Sequence, residues 1–156
     1  MEKILKKKMK VRFQDCDPFN HLNNAKYIDY FINAREDQLV EYYDLDVYKE
    51  VQTTGKSWVV SSSQVAYLRP AHVMEEVSIE SKLVQVASKS LLAEMRMFDR
   101  AEKELKSICW IKFIHYSLKE KRTARHSDEL MALFESVHVP IDQTTFEERC
   151  AFLAQA

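Results

Sequence analysis

Reactive and capping side chains are concentrated between residues 15 and 24, where the chain reads D-C-D-P-F-N-H-L-N-N. A carboxylate in this segment can serve as a general base or as a nucleophile toward a carbonyl carbon. Asparagines favour the N-terminus of a helix, where unpaired N–H groups carry a partial positive charge. Such N–H groups stabilise an oxyanion that develops beside them. The segment therefore predicts a site that attacks a carbonyl group.

The two aspartates are expected to have different roles. Asp17 is the candidate base or nucleophile, and the alternative is that its carboxylate only caps the turn before Pro18. Asp15 is expected to hold the turn by accepting backbone N–H groups. The two acids raise the pKa of Cys16, which argues against a thiolate nucleophile. His21 is expected to shape the pocket or anchor the loop, while a role as base or metal ligand stays open.

A long helix is predicted directly after this segment. Asn23 or Asn24 is expected to cap it by its side chain. Apolar residues then recur at helical spacing over residues 25–43, and charged residues occupy the other face. Tyr27 faces the predicted core, with contact to a substrate as the alternative. The helix N-terminus is therefore expected beside the acidic turn.

The rest of the chain has the pattern of antiparallel strands followed by helices. Strands are predicted over 7–13, 58–68, 73–86, 90–98 and 105–116, with a connection that has some local order over 44–57 and a polar linker over 119–126. Ser127 caps a predicted helix through Val137, and Thr145 with Glu148 forms a capping box for a last one. This order predicts a single α+β domain over 1–156, with a core of about 7–118 and a helical extension of about 127–155.

Composition excludes several classes of protein. The 156 residues include one glycine, too few for a phosphate-binding loop or a dinucleotide fold, and the net charge of −1 gives no general attraction to nucleic acid. Three widely spaced cysteines form no zinc or disulfide pattern, and no secretory signal or membrane span is recognisable. We expect a cytoplasmic protein without metal or cofactor.

Apolar residues on both faces of the last strand indicate that the sheet is covered on both sides. Ile108, Trp110 and Ile114 alternate with other apolar residues, and one long helix covers only one face. The C-terminal helices could supply part of the second cover. A second copy of the chain is the simpler cover, so we expect a homodimer or homotetramer.

The pattern D-x-D-P, H-x-N-N, Tyr27 and Arg35, followed by strands, resembles the hotdog-fold acyl-CoA thioesterases of the 4-hydroxybenzoyl-CoA thioesterase type. The resemblance covers roughly residues 7–118. It implies an antiparallel sheet wrapped around the helix, sheets joined edge to edge in a dimer, and active sites at the dimer interface. Two positions depart from some branches of the family: Phe13 replaces a tyrosine and Asn24 replaces a histidine, which affects the expected substrate range.

The resemblance also implies roles for single residues. Asp17 falls on the position of the catalytic acid, and the backbone N–H of Asn24 falls on that of the oxyanion contact. Lys89 and Ser90 fall on a hairpin that touches coenzyme A in the family, although a solvated turn is an equal alternative. Apart from the resemblance, His21, Asn23 and Tyr27 are our other candidate substrate-binding residues.

Thioester hydrolysis needs few catalytic groups. The leaving thiol has a pKa near ~8.5, so its thiolate departs without a general acid. A carboxylate such as Asp17 can form an anhydride with the acyl group or deprotonate water, and the sequence does not distinguish these routes. Two alternatives remain: a module that binds acyl-CoA or acyl carrier protein without turnover, and a hotdog dehydratase. The dehydratase is disfavoured because the long helix carries no histidine.

Overall fold

A computed structural model of the protein describes residues 1–155. Its strands are β1 (Leu5–Lys10), β2 (Lys56–Tyr67), β3 (Glu76–Val86), β4 (Ser90–Asp99), β5 (Leu105–Ser117) and β6 (Arg122–Thr123). Its α-helices are α1 (Tyr27–Tyr43), α2 (Val47–Thr54), α3 (Asp128–Val137) and α4 (Phe146–Ala154). None of the helices within 1–155 is long and apolar enough to cross a membrane.

The strands form one antiparallel sheet in the order β1-β3-β4-β5-β2, with β6 added to β5. Side chains alternate between the two faces of a strand, and the inner face carries apolar residues such as Ile79, Met95 and Ile111. Helix α1 packs on this face through fully buried residues including Phe31 and Ala34. The predicted α+β architecture, with the sheet around one long helix, is confirmed.

Helix α1 begins with a tighter turn than predicted. The predicted range of 25–43 becomes a 3-10 turn over Asn24–Lys26 followed by regular helix from Tyr27 to Tyr43. Asp44 ends the helix in the left-handed region at φ 52°. The helix N-terminus therefore directly follows the acidic segment, as expected.

The segment over 44–57, predicted as a connection with some local order, contains helix α2, which was not predicted. The Asp46 side chain caps this helix by accepting hydrogen bonds from the N–H groups of Tyr48 and Lys49. Gly55 ends it at φ 71°, a conformation that glycine adopts without a Cβ clash. Both signals were present in the sequence, but a helix of eight residues shows little periodicity.

The boundaries of two predicted strands also differ. The strand predicted over 73–86 begins at Glu76, because Met74 has a positive φ of 66° and cannot continue a strand. The strand predicted over 7–13 ends at Lys10, and residues Phe13–Asp15 form a 3-10 turn. This turn directs the chain from the edge of the sheet toward the start of α1.

The outer face of the sheet is covered within one chain, which corrects the reason given for a second copy. Ile108 and Trp110 are 0% and 4% exposed, and the centroids of the Trp110 ring and of the Phe146 ring in α4 are 5.5 Å apart. Arg149 of α4 donates to both carboxylate oxygens of Glu94 at 2.7 and 2.9 Å. The C-terminal helix, and not a second subunit, therefore accounts for the two-sided pattern at these positions.

The predicted N-caps Ser127 and Thr145 are confirmed, although within residues 1–155 the Glu148 side chain does not complete the predicted capping box, and the polar linker is more ordered than predicted. Ser127 accepts the Leu130 N–H at 3.1 Å, and Thr145 accepts the Glu148 N–H at 3.1 Å. Within 119–126, β6 pairs with β5, and the side chain of His126 is buried. The linker therefore contributes a histidine to the interior.

Candidate active site

The loop that carries Asp17 is built by the aspartate itself. Its Oδ1 accepts hydrogen bonds from the N–H groups of Phe19 at 2.9 Å and His21 at 3.1 Å. Its backbone N–H donates to the His21 carbonyl at 2.8 Å, and Asn20 turns the chain at φ 62°. Within residues 1–155, Oδ2 of Asp17 has no hydrogen-bond partner. One carboxylate oxygen thus shapes the loop while the other stays available.

The prediction that the Asp15 side chain holds the turn is wrong. Its Oδ2 accepts the Tyr30 hydroxyl at 2.6 Å, and Tyr30 in turn accepts the Arg12 N–H at 3.0 Å. Burial, with the Asp15 hydrogen bond as the second cause, raises the pKa of Tyr30 to about 12. The backbone of Asp15 holds the loop instead: its N–H donates to the Arg12 carbonyl at 3.0 Å, and its carbonyl accepts the Asn23 N–H at 2.9 Å. Asp15 therefore connects the loop to helix α1.

The start of the helix offers one unpaired backbone donor. Asn23 is the cap, because its side chain accepts the Ala25 N–H at 2.9 Å. The carbonyl of Asn24 accepts the Tyr67 hydroxyl at 3.0 Å. The backbone N–H of Asn24 donates no hydrogen bond within the described chain. Since this N–H lies at the positive end of the helix, it is a suitable donor to a developing oxyanion.

Four of the predicted site residues meet in one cavity. Asp17, His21, Asn24 and Tyr27 line an open cavity of about 220 Å³, together with Tyr67 and residues 68–70. The buried Tyr27 ring packs edge-to-face on Tyr67 at 5.1 Å, so Tyr27 belongs mainly to the core. Tyr67 was not identified from the sequence, because only the pairing of β2 with β5 brings it to the helix N-terminus.

The contacts of Cys16 and His21 agree with the supporting roles, rather than catalytic roles, that were expected for them. Burial, followed by the charges of Asp17 and Asp15, raises the pKa of Cys16. The His21 ring packs edge-to-face on His72 at 5.0 Å, and the two backbones form a bridge. This second histidine was not anticipated, but no group of three potential metal ligands occurs in residues 1–155. His21 anchors the loop to the chain ahead of β3.

Lys89 and Ser90 lie at the opposite end of the sheet from this cavity. Asp17 lies near the end where β1 and β3 pair at Lys10 and Glu76. The turn over residues 87–89 joins β3 to β4 at the other end, and β4 spans about 30 Å at roughly 3.3 Å per residue. Within one chain, Lys89 and Ser90 therefore do not contribute to the Asp17 cavity.

A second, apolar cavity of about 140 Å³ lies farther along α1. Its walls come from α1, the start of β2, the central strands and α3, and include Ile32, Leu39, Trp58, Phe113 and Phe134. A cavity of similar size lined by apolar groups holds one benzene molecule. The volume therefore suits a short apolar segment of a ligand.

Two buried histidines support the wall of the apolar cavity. His126 accepts the indole N–H of Trp58 at 3.0 Å on Nε2, and its Nδ1 lies 3.0 Å from the Ala87 carbonyl, which fixes the tautomer. His115 stacks on His126 at 4.9 Å, and its Nε2 is buried without a partner. Burial lowers the pKa of both rings, and for His126 the neighbouring His115 lowers it further.

Acidification is expected to destabilise the protein through this histidine pair. Because both pKa values are lowered in the folded state, the unfolded chain binds more protons below about pH 6.5. The stabilisation is fully present above that pH and decreases as the pH falls through 6.5 toward the folded-state pKa values. Urea unfolding should therefore show a lower midpoint at pH 5.5 than at pH 7.5.

The matched control for this prediction is His126→Gln, which removes one titrating ring and keeps an acceptor for the indole N–H of Trp58. The urea unfolding midpoint of this variant should depend less on pH than that of the natural protein, because one of the two rings with a lowered pKa is gone. The other acid-sensitive groups are unchanged. An equal pH dependence in both proteins would contradict a role for the pair.

Similar proteins agree with the arrangement of these elements. A model of the thioesterase-like superfamily matches residues 11–146. The long-chain acyl-CoA thioesterase FadM of Escherichia coli is 26% identical over 129 residues, which are 83% of this chain and 96% of that protein. A solved structure of a probable thioesterase from Escherichia coli is 26% identical, has a TM-score of 0.73, and is matched over 85% of this chain and 98% of its own.

More distant structures share the fold. A 1,4-dihydroxy-2-naphthoyl-CoA thioesterase from Synechocystis is 11% identical, with a TM-score of 0.77 and coverage of 88% of this chain and 99% of its own. At this identity the likeness concerns the backbone alone. Because the superfamily model spans most of the chain and the architecture agrees, the protein belongs to the thioesterase-like superfamily and has its hotdog fold.

Proposed function

We propose that the protein is an acyl-CoA thioesterase that hydrolyses a thioester to a carboxylic acid and coenzyme A. The observation that carries the proposal is the cavity shared by Asp17, with one unbonded carboxylate oxygen, and Asn24, with one unbonded backbone N–H. The chemistry is that of the 4-hydroxybenzoyl-CoA thioesterase type. The similarity to FadM of Escherichia coli, a long-chain acyl-CoA thioesterase, supports coenzyme A as the carrier of the acyl group.

In this mechanism the thioester carbonyl lies between Asp17 and the start of α1. The free Oδ2 attacks the carbonyl carbon or deprotonates a water molecule that attacks it. The Asn24 N–H donates to the developing oxyanion, a contact worth about 2.7–4 kcal/mol in the transition state. Coenzyme A leaves as a thiolate. When Oδ2 is the nucleophile, this step leaves an anhydride between Asp17 and the acyl group, and a water molecule then hydrolyses it to the carboxylic acid and the free carboxylate of Asp17. The Tyr67 hydroxyl fixes the Asn24 carbonyl and so orients this first turn.

A panel of acyl-CoA substrates with a thiol-detecting dye tests the proposal. Thiol release from at least one aromatic, medium-chain or long-chain acyl-CoA is expected. Tight binding of acyl-CoA without thiol release from any substrate would instead favour the non-catalytic binding module.

We also propose that two copies of the chain pair along β2. This strand lies at an edge of the sheet, and its Val59 and Val60 side chains are 48% and 46% exposed. An unpaired edge without lysine or proline over residues 59–64 is a ready surface for another strand. Antiparallel pairing about the middle of β2 would bring the partner's Lys89 toward the Asp17 cavity. Coenzyme A would then contact the turn over residues 87–89 across the interface.

The substitution Lys89→Glu tests this arrangement. We expect a higher KM and a smaller decrease in kcat, because the contact is remote from the reacting carbon. Steady-state kinetics at low ionic strength measure the effect, and light scattering gives the oligomeric state. Unchanged kinetics, or a stable monomer at micromolar concentration, would contradict a composite site.

A further inference from the structure

Arg35 is a buried cation without a carboxylate partner. The side chains of Lys82, Lys106 and Arg149 are also buried, and each has a carboxylate within 4 Å. Within residues 1–155, no carboxylate lies within that distance of the Arg35 guanidinium, although the residue is only 5% exposed. Burying an unpaired charge costs substantial free energy. The position therefore differs from every other buried cation of the described chain.

The hydrogen bonds of Arg35 leave most of its donors unused. Nη1 donates to the Ser81 hydroxyl at 2.9 Å, and that hydroxyl donates onward to Gln38. A guanidinium has five N–H donors, and no other acceptor within the described chain bonds to it. Burial lowers the pKa of Arg35 to about 10, so the side chain remains charged at neutral pH. A buried charge with free donors can bind an anionic ligand.

Arg35 is one of the residues that line the apolar cavity. Its unbonded nitrogens are not among the fully buried side-chain atoms without a partner in residues 1–155, so these donors have access to the cavity. The one carboxylate in the lining, Glu36, accepts the exposed Tyr48 hydroxyl at 2.7 Å and forms no ion pair with Arg35. The remaining walls are mainly apolar. The cavity thus combines a surface for methylene groups with a single positive group.

The apolar cavity and the Asp17 cavity lie along the same two elements. Ile28, Ile32 and Arg35 follow one another at helical spacing on one side of α1, and Asn24 lies in the 3-10 turn that directly precedes the helix. Strand β2 runs from Tyr67 beside Asn24 to Trp58 in the apolar cavity. Arg35 lies about 12 Å along α1 from Tyr27 at about 1.5 Å per residue, and the 3-10 turn from Asn24 to Tyr27 adds about 6 Å at about 2.0 Å per residue.

We propose that Arg35 binds the terminal carboxylate of an acyl chain whose thioester carbonyl lies at Asn24. The acyl chain follows the half-buried side of α1 formed by Ile28 and Ile32, and its far end enters the apolar cavity. The preferred substrate is then an acyl-CoA whose chain ends in a second carboxylate. This inference rests on the proposed thioesterase function and specifies its substrate class.

Matched pairs of substrates test the inference. Unsubstituted acyl-CoAs and acyl-CoAs with a terminal carboxylate are compared at each chain length from six to sixteen carbons. At the length that spans the two cavities, the natural protein should prefer the carboxylate by about ten- to a hundredfold in kcat/KM, as expected for a charge-assisted hydrogen bond. The ratio should approach one in Arg35→Gln and be partly restored in Arg35→Lys.

The matched control is Arg100→Gln, which removes an exposed arginine paired with Glu76 and should leave the ratio unchanged. If Arg35→Gln does not fold, Arg35→Lys and the substrate ratio of the natural protein decide the question. Hydrolysis of unsubstituted acyl-CoAs without preference for a terminal carboxylate at any length would overturn the role of Arg35 alone.

A calorimetric comparison separates this inference from the proposed function. Free dicarboxylic acids should bind the natural protein more tightly than monocarboxylic acids of equal length, and Arg35→Gln should abolish the difference. If no acyl-CoA is hydrolysed, the proposed function fails, and this comparison still decides whether Arg35 is a carboxylate site. Equal affinity for both acids would overturn the carboxylate site.

Discussion

Replacing Asp17 by asparagine is expected to reduce thioester hydrolysis by about 10²–10⁴-fold, the usual effect of losing a general base. Asparagine has nearly the same size but neither accepts a proton at neutral pH nor forms an anhydride with the acyl group. The decrease should appear in kcat, because the lost interaction is made in the transition state. Thiol release on the best substrate of the panel measures it, and acyl-CoA binding should persist.

The hydrogen bonds of the loop predict that this variant remains folded. The amide oxygen of asparagine can still accept the N–H groups of Phe19 and His21, which Oδ1 of Asp17 binds in the natural protein. The urea unfolding midpoint should therefore change little. A lower rate indicates a catalytic role only in a folded variant, so thiol release and the urea unfolding midpoint are measured on the same preparation.

Asp15→Asn is the matched control two positions away. Its amide can still accept the Tyr30 hydroxyl, but the charge that strengthens this hydrogen bond is lost, at an expected cost of about 1 kcal/mol. Turnover should stay close to that of the natural protein. Near-normal turnover of Asp17→Asn would contradict its catalytic role, and His21 would become the next candidate base.

The long elements could be predicted from the sequence because their signals are local. Helix α1 and strands β4 and β5 each extend over ten or more residues, so apolar periodicity identifies them. Helix α2, of eight residues, and strand β6, of two, were not predicted, because segments this short show little apolar periodicity. In those segments only caps such as Asp46 and Gly55 give a signal.

The roles of the two aspartates could not be assigned from the sequence, because they depend on distant partners. Asp15 and Asp17 have similar local settings, but the Tyr30 hydroxyl approaches only Asp15, from one turn inside α1. Asp17 is thereby left to organise the loop. The position of Asp17 ahead of a helix was predictable, whereas the difference between its Oδ1, bonded within the loop, and its unbonded Oδ2 was not.

The covering of the outer face depends on an equally distant contact. Glu94 and Arg149 are 55 residues apart, and the sequence offers several other partners of opposite charge for each. The carboxylate of Glu94 is fully buried, and it also accepts the Trp110 indole N–H at 2.9 Å. Burial raises its pKa, but hydrogen bonds from Arg149 and Trp110 outweigh burial and hold the pKa below its usual value.

Removing the guanidinium by Arg149→Met is therefore expected to destabilise the protein strongly. The change leaves the Glu94 carboxylate buried with Lys82, at 3.7 Å, as its nearest cation. Breaking a buried ion pair from one side typically costs about 3–5 kcal/mol. The urea unfolding midpoint measures this loss. The matched control is Arg122→Met, because Arg122 pairs with Glu120 on the surface and such pairs contribute little.

The double variant Glu94→Gln with Arg149→Met separates the ion pair from simple packing. Glutamine can still accept the Trp110 indole N–H, and the double variant contains no buried carboxylate at position 94. It should therefore be more stable than Arg149→Met alone, with a coupling of about 0.5–3 kcal/mol in a double-mutant cycle. If the two changes were additive, α4 would be held on the sheet by its apolar contacts, such as that of Phe146 with Trp110. If coupling is found, the ion pair orients α4 across the outer face, where the sequence alone had suggested a second subunit.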